Sequence, residues 1–246
     1  YNYTWSVVVS RGCPFKCEFC LVHEFFNSFQ LRPIQNIVDE LWHLKNLGVE
    51  WVELHSDNLT HNKAYALELF KAIAPIELKF YGETTVLIAR DEELLLAAQK
   101  AGVKSILLGI ETPSVEALKA QKKSFVKPKK MKEYIETIKK YDIEVWGDFL
   151  FGFDEHTPDI FKETLDFVKD IKVDKVIPHH MIPFPGSETY TKLDADKRIL
   201  TKDWSQYDGS HVVYQPKNMT TNELEQGVNW IWSKTTGLTE KLKYWF

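Results

Sequence analysis

Apolar residues follow two alternating patterns along the chain, and each pattern is typical of a different element. Six short runs are typical of strands: 5–10, 50–55, 76–83, 104–110, 143–153 and 174–182. Several of them are rich in valine, isoleucine and aromatic residues and apolar nearly throughout, as strands covered on both faces are. Between them apolar residues recur at helical spacing, over 33–47, 61–74, 91–101, 114–121 with 128–141, and 157–171. The alternation predicts a series of βα units and a parallel sheet.

The number of units decides between a closed and an open architecture. Six units are too few for the eight-stranded barrel, so we predict a partial, TIM-like (βα)6 barrel with its active site at the C-terminal strand ends. Beyond the last strand, 184–217 is expected to be irregular and 221–234 helical. We therefore expect a core domain over 1–190 and a short, mainly helical extension over 191–246 that packs on it.

Composition and charge exclude little. The formal net charge of −4 gives no global reason to expect a nucleic-acid partner or an anionic membrane. No apolar run approaches the ~20 residues that a membrane span needs. The lysine-rich stretch 119–140 is expected to be a solvated helix face, although it would also suit phosphate contacts to RNA.

All three cysteines stand within eight positions, directly after the first strand. Cys13, Cys17 and Cys20 have the spacing C-x3-C-x2-C, which can hold three irons of a 4Fe–4S cluster. The fourth iron then stays open to a small molecule, whereas an electron-carrying cluster normally takes four cysteines. Zinc held together with His23, and buried thiols without metal, are the alternatives. The odd, clustered count favours a reducing compartment, and hence the cytoplasm.

The stretch "SRGCPFKCEFC" resembles the cluster-binding loop of radical S-adenosylmethionine (SAM) enzymes, including the aromatic Phe19 before the last cysteine. In that family the SAM amino and carboxylate groups chelate the open iron. An electron from the cluster cleaves SAM, and the resulting 5′-deoxyadenosyl radical abstracts hydrogen from the substrate. The resemblance extends over residues 5–190 and implies an oxygen-sensitive iron–sulfur enzyme.

Weaker resemblances at the ends of strands two and three imply contacts to SAM. "HSDN" is similar to the Asp-Asp-Asn type of cobalamin-associated members, whose backbone receives the SAM amino group, so Ser56, Asp57 and Asn58 are candidates. An Asx turn fits Asp57 and Asn58 equally well. Glu83 matches a carboxylate near the SAM ribose or amino group. Its alternative is a position at a sheet edge, because an unpaired acid in an apolar strand is costly.

The fourth and fifth strands imply further contacts. Gly109 would let a ligand approach the backbone closely, and Glu111 resembles a residue that contacts ribose hydroxyls. Twelve residues on, "ALKAQKKS" resembles a segment that offers a cation to the SAM carboxylate, which makes Lys123 the candidate against a surface lysine. Asp148 on strand five matches a ribose-contacting acid.

Adenine and substrate contacts are implied near the ends of strands five and six. Gly152 and Phe153 lie where adenine is usually stacked in the family. "PHHMIPFPGSETY" resembles a turn of members that bind cobalamin and of tetrapyrrole-acting relatives. His179 and His180 alternate along a strand, so we expect at most one to face a substrate, with a structural histidine as the alternative.

Missing motifs narrow the reaction. No further cysteine exists for an auxiliary cluster, which argues against sulfur insertion, and no D-x-H-x-x-G cobalamin motif is present. We expect cobalamin, where used, to come from a domain outside this chain, which would then be the core of a longer protein.

We predict a radical SAM core that acts on an unactivated C–H of a small-molecule or lipid-like substrate, in methylation, cyclisation or rearrangement. It resembles cobalamin-associated methyltransferases and cyclases most, and a flavodoxin or ferredoxin would reduce it. A tRNA-modifying radical SAM enzyme and a non-enzymatic, metal-stabilised module are the alternatives.

Overall fold

A computed structural model describes residues 5–236, within which eight strands and nine α-helices are formed. The strands are β1 (Trp5–Val8), β2 (Ser10–Arg11), β3 (Gln30–Leu31), β4 (Trp51–His55), β5 (Lys79–Thr84), β6 (Val103–Glu111), β7 (Glu144–Phe151) and β8 (Lys175–His180). The helices are α1 (Val22–Phe26), α2 (Ile34–Asn46), α3 (Lys63–Ile73), α4 (Glu92–Ala101), α5 (Val115–Ala120), α6 (Met131–Lys139), α7 (Asp159–Ile171), α8 (Glu188–Ala195) and α9 (Thr221–Thr235).

Six strands form one parallel sheet in the order β1-β4-β5-β6-β7-β8, which confirms the α/β fold class expected from the sequence. Each strand pairs with the next one of the βα series, so the sheet is wound in one direction. The register aligns Trp5 with Val52 and Trp51 with Lys79. β2 and β3 form a separate antiparallel ribbon that the sequence pattern did not predict.

The chain forms two compact units that interleave along the sequence. Within the described residues the first unit comprises 5–15, 22–109 and 133–146, and the second comprises 16–21, 110–132 and 147–236. The division predicted at residue 190 stays a prediction, and its outer ends, 1–4 and 237–246, lie outside the described residues.

In the first unit, α2 buries one face against the core. Ile37, Leu41 and Leu44 recur at helical spacing and are at most 5% exposed. The helix begins at Ile34, directly after Pro33, and Gly48 follows its end with a φ of 81°. A left-handed residue after the last turn is the usual helix stop, and glycine adopts it without strain.

In the second unit, α7 and α9 pack on each other and α9 packs on β8. Gly227 allows this close approach, because a Cβ there would lie 2.1 Å from the ring of Phe161. The N-cap Thr220 accepts a hydrogen bond from the backbone N–H of Glu223, whose carboxylate accepts one from Thr220 in return. The helix predicted over 221–234 is confirmed.

The prediction that 184–217 is irregular is wrong in part, because α8 lies within it. Ser187 caps this helix by accepting a hydrogen bond from the N–H of Tyr190 at 3.1 Å. Only Thr189 and Leu193 are buried, so the apolar spacing that identifies a helix is nearly absent. Across residues 5–236, no helix is both long enough and apolar enough to cross a membrane.

Candidate active site

The cysteine loop starts at a glycine that cannot be replaced without strain. Gly12 has a φ of 89°, and a Cβ there would lie 2.4 Å from the carbonyl oxygen of Ser28. Cys17 is buried, whereas Cys13 and Cys20 are half-buried. The N–H of Cys20 donates to the carbonyl of Cys17 at 3.1 Å, which closes the second turn of the motif.

In the first unit, each side chain of the segment 56–58 contacts one residue of the segment 10–13. The pairs are Ser56 with Ser10 (2.5 Å between the hydroxyl oxygens), Asp57 with Gly12 (backbone N–H to Oδ2, 2.8 Å) and Asn58 with Cys13 (Nδ2 to Sγ, 4.0 Å). The backbone N–H of Asn58 also donates to the Ser56 hydroxyl at 3.1 Å, which makes a serine turn at this strand end. These side chains therefore hold the start of the cysteine loop.

Two other candidates of the first unit lie on neighbouring strands. Glu83 is exposed, and β5 is an interior strand of the sheet rather than an edge. The buried residue at this strand end is the next one, Thr84, which is 3% exposed. Gly109 is half-buried near the end of β6. The SAM contacts assigned to Glu83 and Gly109 remain predictions.

In the second unit, Lys123 and Glu111 form a buried ion pair whose side chains are 11% and 5% exposed. Burial alone would lower the pKa of Lys123, but the Glu111 carboxylate and the Cys17 sulfur outweigh it, and the pKa is raised. The alternative of a surface lysine is therefore wrong. The second carboxylate oxygen of Glu111, Oε2, is buried and has no hydrogen-bond partner within residues 5–236.

Two aromatic rings lie close to the Lys123 ammonium. It lies 5.7 Å from the ring centre of Phe19 and 5.9 Å from that of Phe125, within cation–π range. Phe19 in turn contacts Phe153, with 5.8 Å between ring centres. Phe19, Lys123 and Phe153, predicted from separate stretches of sequence, are thus brought together.

His179, rather than His180, lies with this group. The His179 Nε2 is 3.4 Å from the carboxylate of Asp148, and burial lowers the pKa of its imidazole while Glu111 acts to raise it. His180 is buried and is influenced instead by His211, Glu225 and Asp208. Neighbours in a strand face opposite sides, and the expectation that at most one of these histidines faces a substrate stays a prediction.

Gly152 and Phe153 line a cavity of about 510 Å³ in the second unit. Met181 and Leu193 add apolar wall, and Glu18 and Arg198 add charge. Gly152 has a φ of 99°, and its carbonyl accepts a hydrogen bond from the Tyr214 hydroxyl at 2.8 Å. Most of the lining residues are polar or charged, and Phe153, Met181 and Leu193 supply the larger apolar side chains of the cavity.

His156 was missed by the sequence analysis. It is 1% exposed, accepts a hydrogen bond from the N–H of Gly152 at 3.3 Å, and lies 3.1 Å from the hydroxyl of Thr112. Its ring also contacts Phe153. Because Nδ1 accepts this hydrogen bond, the single proton of the neutral imidazole is on Nε2, and Nε2 donates to the hydroxyl of Thr112. His156 thereby connects the residues after β6 to those after β7.

We expect His156 to make stability fall with acid. Burial lowers its pKa from 6.5 to about 4, so between these values the unfolded chain binds the proton and the folded chain does not. Stability is therefore lost as pH falls from 6.5 towards 4, by roughly 2 kcal/mol between pH 7 and pH 5. Urea unfolding of the protein and of His156→Gln at both pH values measures the difference. Equal pH dependence in the two proteins would contradict this origin.

No three His, Cys, Asp or Glu side chains of the described residues converge on a point where one metal ion would be held. His23, the fourth ligand of the zinc alternative, has its Nε2 3.0 Å from the Glu24 carboxylate. A 4Fe–4S cluster makes a different demand, because each cysteine binds a different iron and the sulfur atoms stay apart.

Comparison with known families decides the classification. The sequence profile of the Radical SAM superfamily matches residues 7–168, well over half of the chain. The chain belongs to the radical SAM superfamily. Members of this superfamily use a 4Fe–4S cluster and SAM, so the chain is an enzyme core of that type.

Curated relatives within the radical SAM superfamily include methyltransferases and cyclases. The bacteriochlorophyllide d C-12(1)-methyltransferase of Chlorobaculum tepidum is 25% identical over 91% of this chain and 50% of its own length. The anaerobic magnesium-protoporphyrin IX monomethyl ester cyclase of Cereibacter sphaeroides is 29% identical over 89% of this chain and 36% of its own length. The hopanoid C-2 methylase of Rhodopseudomonas palustris is 27% identical over 80% of this chain and 39% of its own length. The chain spans half or less of the length of these relatives.

Solved radical SAM structures share the fold. The methyltransferase TsrM from Kitasatospora setae, solved with cobalamin and a [4Fe-4S] cluster, superposes with a TM-score of 0.70 at 16% identity, over 78% of this chain and 39% of that one. The cobalamin-dependent enzyme OxsB, solved with aqua-cobalamin and SAM, gives 0.65 at 14% identity, over 98% and 44%.

The residues of this chain fit the two radical SAM cofactors. Its three thiols share one loop, and Asn58 offers an N–H to the Cys13 sulfur. The buried Oε2 of Glu111 accepts no hydrogen bond from the described part of the chain and would suit a donor such as a ribose hydroxyl. Both are features that a bound cluster and nucleoside would satisfy.

Proposed function

We propose that the chain is the catalytic core that cleaves SAM reductively and removes hydrogen from an unactivated C–H of a small-molecule or lipid-like substrate. When bound, the cluster supplies the electron that splits SAM into methionine and a 5′-deoxyadenosyl radical, which takes the substrate hydrogen. Cys13, Cys17 and Cys20 hold the cluster. The protein itself orients SAM and substrate and excludes water and oxygen.

The observation that carries this proposal is the charged group around Cys17 in the second unit. Lys123 is held by Glu111 and is influenced by the negative charge of the Cys17 sulfur. An ammonium and a half-satisfied carboxylate, both buried, are costly to maintain in an apolar core. Such a group beside a cluster ligand is suited to a zwitterionic ligand, whose carboxylate and hydroxyls would use both charges.

Each remaining candidate takes one part of SAM in this proposal. The backbone of 56–58 receives the amino group, since its side chains are engaged with the cysteine loop. Lys123 binds the carboxylate, while Glu111 and Asp148 bind the ribose. Phe153 stacks on adenine above Gly152, and Glu83 and Gly109 complete the ribose surroundings. His179, 3.4 Å from Asp148, is the substrate-facing histidine.

The substrate and the partners are proposed from the relatives. The tetrapyrrole and hopanoid enzymes carry out methylation or cyclisation according to their names, which favours the same reaction classes here. Cobalamin would be supplied by a domain outside this chain. A flavodoxin or ferredoxin would supply the electron, and the protein would work in the cytoplasm, where thiols stay reduced.

A tRNA substrate is the second candidate function, and it rests on the lysine-rich stretch 119–140, in which three lysines are engaged within the protein. Lys122 is paired with Glu188 at 2.5 Å, Lys132 with Asp170 at 2.7 Å, and Lys123 is buried. Exposed pairs such as those of Lys122 and Lys132 are weak, so only the buried Lys123 is withdrawn from phosphate contacts.

The function is tested by anaerobic reconstitution with iron and sulfide, chemical reduction and addition of SAM without substrate. We expect 5′-deoxyadenosine in the mass spectrum, and none from protein loaded with zinc or left unreduced. Cluster assembly without any nucleoside would contradict SAM cleavage by this chain. Absence of a 4Fe–4S signal would contradict the whole assignment and favour a structural metal module.

A further inference from the structure

Asn58 is held in a single orientation by buried hydrogen bonds of the first unit. Its side chain is 1% exposed, and the hydroxyl of Thr84 donates to its Oδ1 at 3.1 Å. The hydroxyl of Thr60 lies 2.5 Å from that of Thr84 and completes the chain of donors. With the carbonyl end of the amide fixed, the Nδ2 end is directed at the sulfur of Cys13, 4.0 Å away.

A donor aimed at a cluster thiolate has a defined physical effect. Reduction adds negative charge to a cluster, and an N–H directed at a ligand sulfur stabilises that charge. Such bonds raise the reduction potential and make the reduced state easier to reach. Ser56 contacts Ser10 and Asp57 contacts Gly12, whereas the side-chain N–H of Asn58 is directed at the sulfur of Cys13.

We propose that Asn58 sets the reduction potential of the cluster through Cys13, and that Thr84 is the positioning residue that keeps its amide turned towards the sulfur. This rests on the proposed function, because it requires a cluster on Cys13. It gives the side chain of Asn58 a role separate from the backbone contact to SAM.

The test is a redox titration of the reconstituted protein without SAM, followed by electron paramagnetic resonance. Asn58→Leu removes the donor at similar volume and is expected to shift the reduction equilibrium about tenfold towards the oxidised cluster, or about 59 mV for one electron. Thr84→Val removes the hydroxyl that fixes the amide, and a smaller shift in the same direction is expected.

The matched control is Thr164→Val on α7. Thr164 is fully buried and its hydroxyl has no hydrogen-bond partner within residues 5–236, so this variant makes the same change outside the network. Its potential is expected to equal that of the unchanged protein.

The outcomes separate the two claims. An unchanged potential in Asn58→Leu with full iron and sulfide content overturns the role of Asn58. Should that variant assemble no cluster, Thr84→Val decides, and a potential equal to that of Thr164→Val overturns the proposal. Failure of the unchanged protein to form a 4Fe–4S cluster would instead remove the proposed function, and this inference with it.

Discussion

Replacement of Cys17 by alanine is expected to abolish formation of 5′-deoxyadenosine in the reduced, reconstituted protein. Three thiolates are the minimum that holds a 4Fe–4S cluster with one open iron, and a pair cannot retain it. Cys17 is also the sulfur whose charge acts on Lys123, so the variant changes the surroundings of the ion pair as well. Iron content, visible absorption and nucleoside formation measure the loss.

The exposed Lys16 supplies the control for this experiment. It lies between Cys13 and Cys17 on the same loop, so Lys16→Ala alters the loop without removing a ligand. This variant is expected to keep its cluster and its activity. Cys13→Ala and Cys20→Ala should behave like Cys17→Ala. SAM cleavage by Cys17→Ala at the rate of Lys16→Ala would show that the triad does not hold the reactive centre.

Lys123→Met is expected to destabilise the cluster-free protein by about 3–5 kcal/mol, because it leaves the Glu111 carboxylate buried without its cation. Urea unfolding under anaerobic conditions measures the change in the free energy of unfolding. The double variant Lys123→Met with Glu111→Leu replaces both charges by apolar groups and should regain most of the stability. It should not regain SAM binding, since both proposed contacts are gone.

The neighbouring Lys122 offers a matched control, because it is an exposed lysine paired with Glu188. Exposed ion pairs contribute little, so Lys122→Met should leave both stability and SAM binding nearly unchanged. Equal stability of Lys122→Met and Lys123→Met would show that the Lys123–Glu111 pair is not a buried, coupled pair. Normal SAM affinity in the double variant would exclude both residues from the binding site.

The strands and most of the helices were predictable because burial imposes period and composition on the sequence. β4 buries Val52 and Leu54, and most of the buried positions of β6 are apolar. α8 and the two-residue strands β2 and β3 were not predictable on the same grounds. They bury too few side chains for a hydrophobic period to be visible.

The sequence identified most of the candidate site residues but not the contacts between them. The cysteine spacing and the strand ends located the candidates, because both are properties of the linear chain. That Lys123 is buried could not be read from a stretch rich in exposed lysines. That Asn58 faces Cys13 depends on the path of two loops, which residue spacing does not determine. His156 follows Gly152 by four residues in a turn, where no periodicity marks it.

The position of β1 at the edge of the sheet affects whether copies of the protein associate through their strands. β1 is an edge strand, and a free strand edge invites pairing with another molecule. Here the strand has only four residues, and the Arg32 guanidinium donates to the carbonyl of Val8 at 3.1 Å while it is paired with Glu40. A charged side chain on a short edge strand disfavours the addition of a strand from another molecule, so aggregation through this edge is disfavoured.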